Sequence, residues 1–180
     1  MSKLIKPFDM IYNWAKANSL TPLFYVSGCC EAEILSYYAN NNCNINFNSD
    51  IIAGNPRNSD VFIVAGVINY KNAPVILRLY EQMPEPKYVM AAGACACSGG
   101  VFKDNSCTVI GGLDKIIPVD VFITGCPPEP DDLHCAVKKL QEKIMSETIL
   151  KRKQYIEAHS TSFLLSENQE ILTNKKGQSK

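Results

Sequence analysis

The residues of this chain best suited to do chemistry are its eight cysteines, Cys29, Cys30, Cys43, Cys95, Cys97, Cys107, Cys126 and Cys135. In "VSGCCEAEIL" two of them stand side by side at Cys29 and Cys30. The planar trans peptide between adjacent residues holds their side chains apart, so a disulfide or a two-point chelate made by this pair alone is awkward. No Cys-x-x-Cys pair occurs, and the thiols are spread along the chain, so any shared site must be assembled by the fold. Residues 1–20, "MSKLIKPFDMIYNWAKANSL", lack the long apolar run of a secretion signal. A reducing compartment is therefore expected, and the thiols are expected to serve metal, redox or packing roles instead of a disulfide framework.

The elements that must position those thiols are legible as short apolar runs. "DVFIVAG" (60–66), "KYVMAAG" (87–93) and "VDVFITG" (119–125) read as buried strands that close on glycine, with "PLFYVSG" (22–28) a weaker fourth. Between the first two, Val75, Ile76, Leu79 and Tyr80 recur at helical spacing until Pro84 and Pro86 end the helix. After the third, Pro130, Asp131 and Asp132 open a helix whose apolar face is Leu133, Val137, Leu140 and Ile144. Strand, helix, strand predicts an α/β fold with a parallel sheet. Cys29 and Cys30 directly follow Gly28 of "PLFYVSG", Cys95 comes two residues after Gly93, and Cys126 follows Gly125. Ligands of open parallel sheets sit beyond the carboxyl ends of the strands, at the topological switch point, and four thiols are aimed there.

Local composition adds to this. Gly93, Gly99 and Gly100 in "GACACSGG" let backbone approach a bulky inorganic group, and the two prolines after Cys126 fix the chain that presents its sulfur. Soft ligands at scattered positions favour an iron–sulfur cluster, and a closed tetrahedral zinc site in a structural α/β module is the competing reading.

Other classes fall away on composition. The chain has 180 residues, enough for one domain with a real core. Its 18 Lys and Arg balance 18 Asp and Glu, so no polyanionic partner such as nucleic acid is announced. No stretch approaches the roughly 18 apolar residues of a bilayer span, so a cytosolic chain, or one held at a membrane by partners, is expected. No G-x-G-x-x-G follows a strand, so no dinucleotide site is expected.

Four segments together carry a resemblance: "NWAKANSLTPLFYVSGCCEAEI", "GNPRNSDVFIVAG", "APVILRLYEQMPEPKYVMAAGACACSGG" and "GLDKIIPVDVFITGCPP". In that order, from about Asn13 to Ile144, they resemble the small B subunit of respiratory complex I, the 20 kDa subunit family, which is similar to the small subunit of NiFe hydrogenases. The resemblance implies a flavodoxin-like α/β fold with one 4Fe-4S cluster, the last before quinone, ligated by Cys29, Cys30, Cys95 and Cys126. It also implies an electron-transfer subunit that is not active alone. Quinone would bind at the interface with a larger subunit, alongside other iron–sulfur and membrane-arm subunits. The assembly would sit peripherally on the cytoplasmic side of the membrane. Implied regions are a partner-docking segment 1–20, the iron–sulfur domain 21–150 and a polar tail 151–180. Membrane-bound hydrogenases carry a Cys-x-x-Cys whose first cysteine would fall at Ser27, so this position follows the complex I pattern. "ACACSGGVF" resembles the hydrogenase-type branch equally well, which keeps a hydrogenase or hydrogenase-related energy-converting complex as the alternative.

The remaining candidates are weighed against plainer roles. Cys43, Cys97, Cys107 and Cys135 have no motif partner; Cys97, two residues from a proposed ligand, could serve as a spare ligand, but packing or a contact behind the ligands is its expected role. Glu33, in "CCxxE", is either an acid near the cluster or a solvated cap. Arg57 either complements cluster charge or pairs with Asp60, and the structural ion pair is the expected role. His134 and His159 form no ligand motif. The charge run "KRK" at 151–153 reads as a solvated end, and Phe8, Ile11, Tyr12 and Trp14 as an apolar patch on an N-terminal helix available to a partner.

Overall fold

The computed structural model describes residues 5–39, 54–103, 106–147 and Arg152, with side chains left out at 5–8 and 37–39. Four strands, β1 (Pro22–Tyr25), β2 (Val61–Ala65), β3 (Tyr88–Ala92) and β4 (Val121–Ile123), form one sheet in the order β1-β2-β3-β4. All pairs are parallel, with Tyr25 opposite Val64, Val64 opposite Ala91 and Ala92 opposite Ile123. The four expected strands are present. The later three stop at or before their glycines because Gly66, Gly93 and Gly125 take φ of +103°, +87° and +142°, which breaks the pleat.

Every residue of β2 and β3 is buried, as expected of parallel strands covered on both faces. On one face lie α1 (Ile5–Asn18), α2 (Cys29–Ala39) and α5 (Pro130–Ser146), whose Ala17, Ile34, Leu133, Val137 and Leu140, with Leu20 just after α1, pack on Val61, Ile63, Met90 and Ile123. On the other, α3 (Ala73–Gln82), α4 (Ala94–Ser98) and a 3-10 turn at Leu113–Lys115 cover Phe62, Val64, Val89 and Ala91. The predicted stripe of α5 is buried throughout, and each such side chain contributes about 1.5–3 kcal/mol relative to exposure. In α3 the buried seam is Ala73, Ile76 and Tyr80, whereas Val75, expected inward, points out at 47% exposure because it stands one position off that seam.

The chain leaves β3 into α4 on one face and β4 into α5 on the other. Strand order never reverses among the described strands, so the switch point expected at their carboxyl ends is not present; what diverges there is the face onto which the chain leaves β3 and β4.

The opposite, amino end of the sheet is closed by charge. Asp120, its carboxylate fully buried, accepts from Val89 N at 3.0 Å, Lys143 Nζ at 2.7 Å and Arg152 Nη1 at 2.5 Å. Arg152 also donates to the Lys87 carbonyl and lies over the Tyr88 ring, 4.4 Å from its centre. Thus the run expected to be solvated contains a residue only 4% exposed, because a buried carboxylate at the foot of β4 requires its cation. Lys87, also buried, donates to the Tyr80 carbonyl at 2.9 Å at the end of α3, and burial lowers its pKa. Asp60 pairs with Lys16 at 2.7 Å and not with Arg57, which is exposed on a 3-10 turn; Lys16 reaches down from α1, which packs on α5.

Helix α1 is tied to α5 by Asn13 Nδ2, which donates to the Glu147 carbonyl at 2.6 Å, and by Gln141 Nε2, which donates to the Ala17 carbonyl at 3.1 Å. The far side of α1 leaves Met10, Ile11 and Trp14 exposed. Phe8 lies outside the described side chains, as Cys43, His159 and the tail beyond Arg152 lie outside the described residues.

Candidate metal centre

The four sequence-predicted thiols are delivered by three strand ends. Gly28, at φ +69°, turns the chain after β1 so that α2 begins on Cys29 and Cys30. Cys30 points inward at 3% exposure, while Cys29 is exposed. Cys95 lies in α4, 8% exposed, and Cys126 follows Gly125 on the exposed loop after β4, where the Cys126–Pro127 peptide is cis.

Glycine makes the close approach feasible. A Cβ on Gly93 would stand 2.7 Å from Cys30 Sγ, closer than real atoms come, so the end of β3 touches the first thiol only because residue 93 has no side chain. Gly93 N donates to the Ile123 carbonyl at 2.8 Å and Ala94 N to the Gly125 carbonyl at 2.7 Å, which ties the Cys95 loop to the Cys126 loop. A Cβ on Gly100 would meet Cys95 Sγ at 3.3 Å.

The thiols lie within electrostatic reach of one another. Burial, then the charge of Cys29 and a hydrogen bond with it, then Cys95 and Cys126, push the Cys30 thiol up to about 11. Cys95 is raised as well, by burial first and then by Cys126 and Cys29. Four thiolates this close repel, and cationic metal is what would let them deprotonate together. An all-thiol donor set converging from separate strands, with room kept by glycines, fits an iron–sulfur group. Among the described residues no three or more His, Cys, Asp or Glu are grouped so as to hold a metal ion.

The other cysteines stand apart. Cys97 Sγ lies 3.5 Å from the Ala91 carbonyl and 3.4 Å from that of Ile123, on the sheet side of α4, packed against Ala91 and its neighbours. Cys107 and Cys135 are exposed. Ser27, at the position that separates the two branches, lies just after β1, and its hydroxyl donates to the Ala65 carbonyl at the end of β2 at 3.3 Å. Glu33 is half-buried and lines a shallow crevice with Ile34, Pro128, Glu129, Pro130 and Leu133, beside the loop of Cys126. His134 is half-exposed on α5.

Comparison with known proteins then decides the family. Residues 27–140 match the family described as NADH ubiquinone oxidoreductase, 20 Kd subunit. The chain belongs to this family. Among curated members, the NAD(P)H-quinone oxidoreductase subunit K of Prochlorococcus marinus strain MIT 9215 is 41% identical over 183 residues, covering 96% of this chain and 74% of the relative. The subunit of the same name from Picosynechococcus strain PCC 7002 is 41% identical over 180 residues, covering 96% and 72%. Among solved structures, a chain of the membrane-bound sulfane sulfur reductase, an archaeal respiratory membrane complex, is similar at TM-score 0.69 and 30% identity, over 92% of this chain and 96% of that one. A chain of an NAD+-reducing NiFe hydrogenase matches at TM-score 0.52 and 15% identity, over 69% and 92%, a likeness of fold. The α/β architecture expected of a 20 Kd family member is thus present. No helix among the described residues is long and apolar enough to cross a membrane.

Proposed function

We propose that Cys29, Cys30, Cys95 and Cys126 hold one 4Fe-4S cluster and that the chain is the electron-transfer subunit of a complex I-like quinone oxidoreductase. When bound, such a cluster supplies one-electron transfer toward quinone. The observation that carries the reading is geometric: Cys30 Sγ lies against Gly93, two residues before Cys95, and Ala94 N is bonded to the carbonyl of Gly125, the residue before Cys126. The chain's own part is to present four sulfurs from rigid strand ends, to bury Cys30 and Cys95 away from water, and to tie the loops of Cys95 and Cys126 together through Gly93 and Ala94. Four ligands leave no open coordination position, so substrate chemistry belongs to an interface with a larger quinone-site subunit. The exposed Val101 and Phe102, just beyond the Cys95 loop, and Met10, Ile11 and Trp14 on α1 are surfaces suited to partners. The chain would sit peripherally on the cytoplasmic side of a membrane, held by other iron–sulfur and membrane-arm subunits.

Anaerobic reconstitution of the full chain with iron and sulfide, followed by electron paramagnetic resonance after dithionite reduction, tests the cofactor. A cluster signal is expected; a silent sample holding stoichiometric zinc overturns it.

A second reading, the small subunit of a hydrogenase-related energy-converting complex, is favoured by the 30% identity to the sulfane sulfur reductase chain over nearly its whole length. Ser27 speaks against a hydrogenase proper. The co-purifying large subunit separates them: two Cys-x-x-Cys pairs in it support the hydrogenase reading, and their absence supports quinone.

A further inference from the structure

Cys97 stands two residues beyond a proposed ligand, yet its sulfur faces the opposite way. It lies on the sheet side of α4, half-buried, within 3.5 Å of the Ala91 carbonyl on β3 and 3.4 Å of the Ile123 carbonyl on β4. Those strands run on directly into the loops of Cys95 and Cys126. Near this point the sheet runs out: β3 and β4 pair only at Met90, Ala91 and Ala92, and beyond Ala92 two backbone bonds, Gly93 N to Ile123 O and Ala94 N to Gly125 O, keep the strand ends together. The Cys97 amide itself donates to the Gly93 carbonyl at 3.0 Å, so its side chain is carried by the same turn whose position it constrains. On its far side Gly112 leaves the room: a Cβ there would stand 2.6 Å from the Cys97 carbonyl oxygen, which presses α4 onto the sheet.

We propose that Cys97 is a positioning residue: its S–H, shared between the Ala91 and Ile123 carbonyls, clasps the two strand ends that present Cys95 and Cys126. The proposal deepens the reading of those cysteines as ligands and rests on it for its purpose. A thiol is a weak donor, but here it bridges two strands where few other bonds do. Serine keeps a donor at this position; alanine keeps the packing volume roughly and removes the donor.

The test is amide hydrogen exchange by NMR on the full chain, wild type against Cys97→Ala and Cys97→Ser. In the alanine variant exchange at Gly93 and Ala94 is expected to quicken about three- to tenfold, the loss of one modest hydrogen bond. Exchange at Tyr88 and Asp120, whose amides are bonded at the amino end of the same strands, should change less than about twofold, a purely local effect. Cys97→Ser should restore the wild-type rates. Unchanged rates at Gly93 and Ala94, an equal rise at both ends of the strands, or failure of serine to rescue each overturns the clasp. The exchange measurement needs no metal, so a full chain that takes up no iron would sink the cluster reading and leave this result standing.

Discussion

The two ends of the sheet solve opposite problems. At the amino end, Asp120 is buried completely and answered completely: Arg152, Lys143 and the Val89 amide all donate to it. Burial works to raise the Asp120 pKa, but the hydrogen bonds and charges of Arg152 and Lys143 outweigh it and hold the carboxyl below its ordinary range. At the carboxyl end, like groups are gathered, and among the described residues no cation is found to answer them. Burial and neighbouring thiols raise Cys30 and Cys95, and the backbone around them is glycine and proline instead of donors and cations. One end is a finished internal ion pair; the other gathers the thiols that the proposed cluster would answer. On that proposal, stability and function are separated along the same four strands.

That separation can be broken most sharply at the thiols. Cys30→Ser is expected to abolish the cluster signal in the reconstituted chain while the circular dichroism spectrum and unfolding midpoint of the metal-free chain stay close to wild type. Retention of an unaltered signal would make Cys30 a bystander.

Next in size is the amino end. Asp120→Asn leaves Arg152 and Lys143 without their carboxylate and should cost about 3–5 kcal/mol, roughly 10 °C in Tm, by urea and thermal unfolding. Metal loading measured below the new midpoint should be unchanged. A loss of both together would show that the two ends are coupled.

The third prediction is a pH dependence confined to the amino end. Because the folded pKa of Asp120 lies below its unfolded value, its contribution is full above the ordinary carboxylate range and drains as pH falls through about 4 toward the folded value. The stability difference between wild type and Asp120→Asn should therefore shrink below about pH 4. A difference that stays constant down to pH 2.5 would count against the ion pair as its source.

Smaller again is Gly93→Ala, which combines φ +87° with a Cβ 2.7 Å from Cys30 Sγ. It is expected to cost about 1–2 kcal/mol and to lower iron content at fixed reconstitution time, the converse of Asp120→Asn. The smallest effect belongs to Lys16→Ala, whose pair with Asp60 is partly exposed and near the surface; about 0.5–1 kcal/mol is expected in a urea titration.

Much of this could be read from the chain. Apolar runs ending in glycine marked the strands because a parallel strand is buried on both faces and must be released sharply at its end; β2, β3 and β4 stand where "DVFIVAG", "KYVMAAG" and "VDVFITG" put them. The α5 stripe was legible because Leu133, Val137, Leu140 and Ile144 repeat at helical spacing over four turns. Val75 misled because α3 is short and apolar on more than one side, so periodicity alone does not choose its inner face. Arg152 was illegible: a cation in "KRK" looks solvated until the fold sets a buried carboxylate beside it, 32 residues away in sequence. Arg57 failed as the partner of Asp60 for the related reason that Lys16 arrives from α1, far along the chain.

By itself, then, the sequence determined which thiols are suited to the proposed soft-metal chemistry and that each stands within two residues of a glycine, because residue type and local backbone freedom are local properties. The tertiary structure alone decided that Cys30 touches Gly93, that Cys97 turns to the carbonyls of β3 and β4, and that Asp120 meets Arg152. Those are contacts across strands and helices, and their distances follow from how the elements pack.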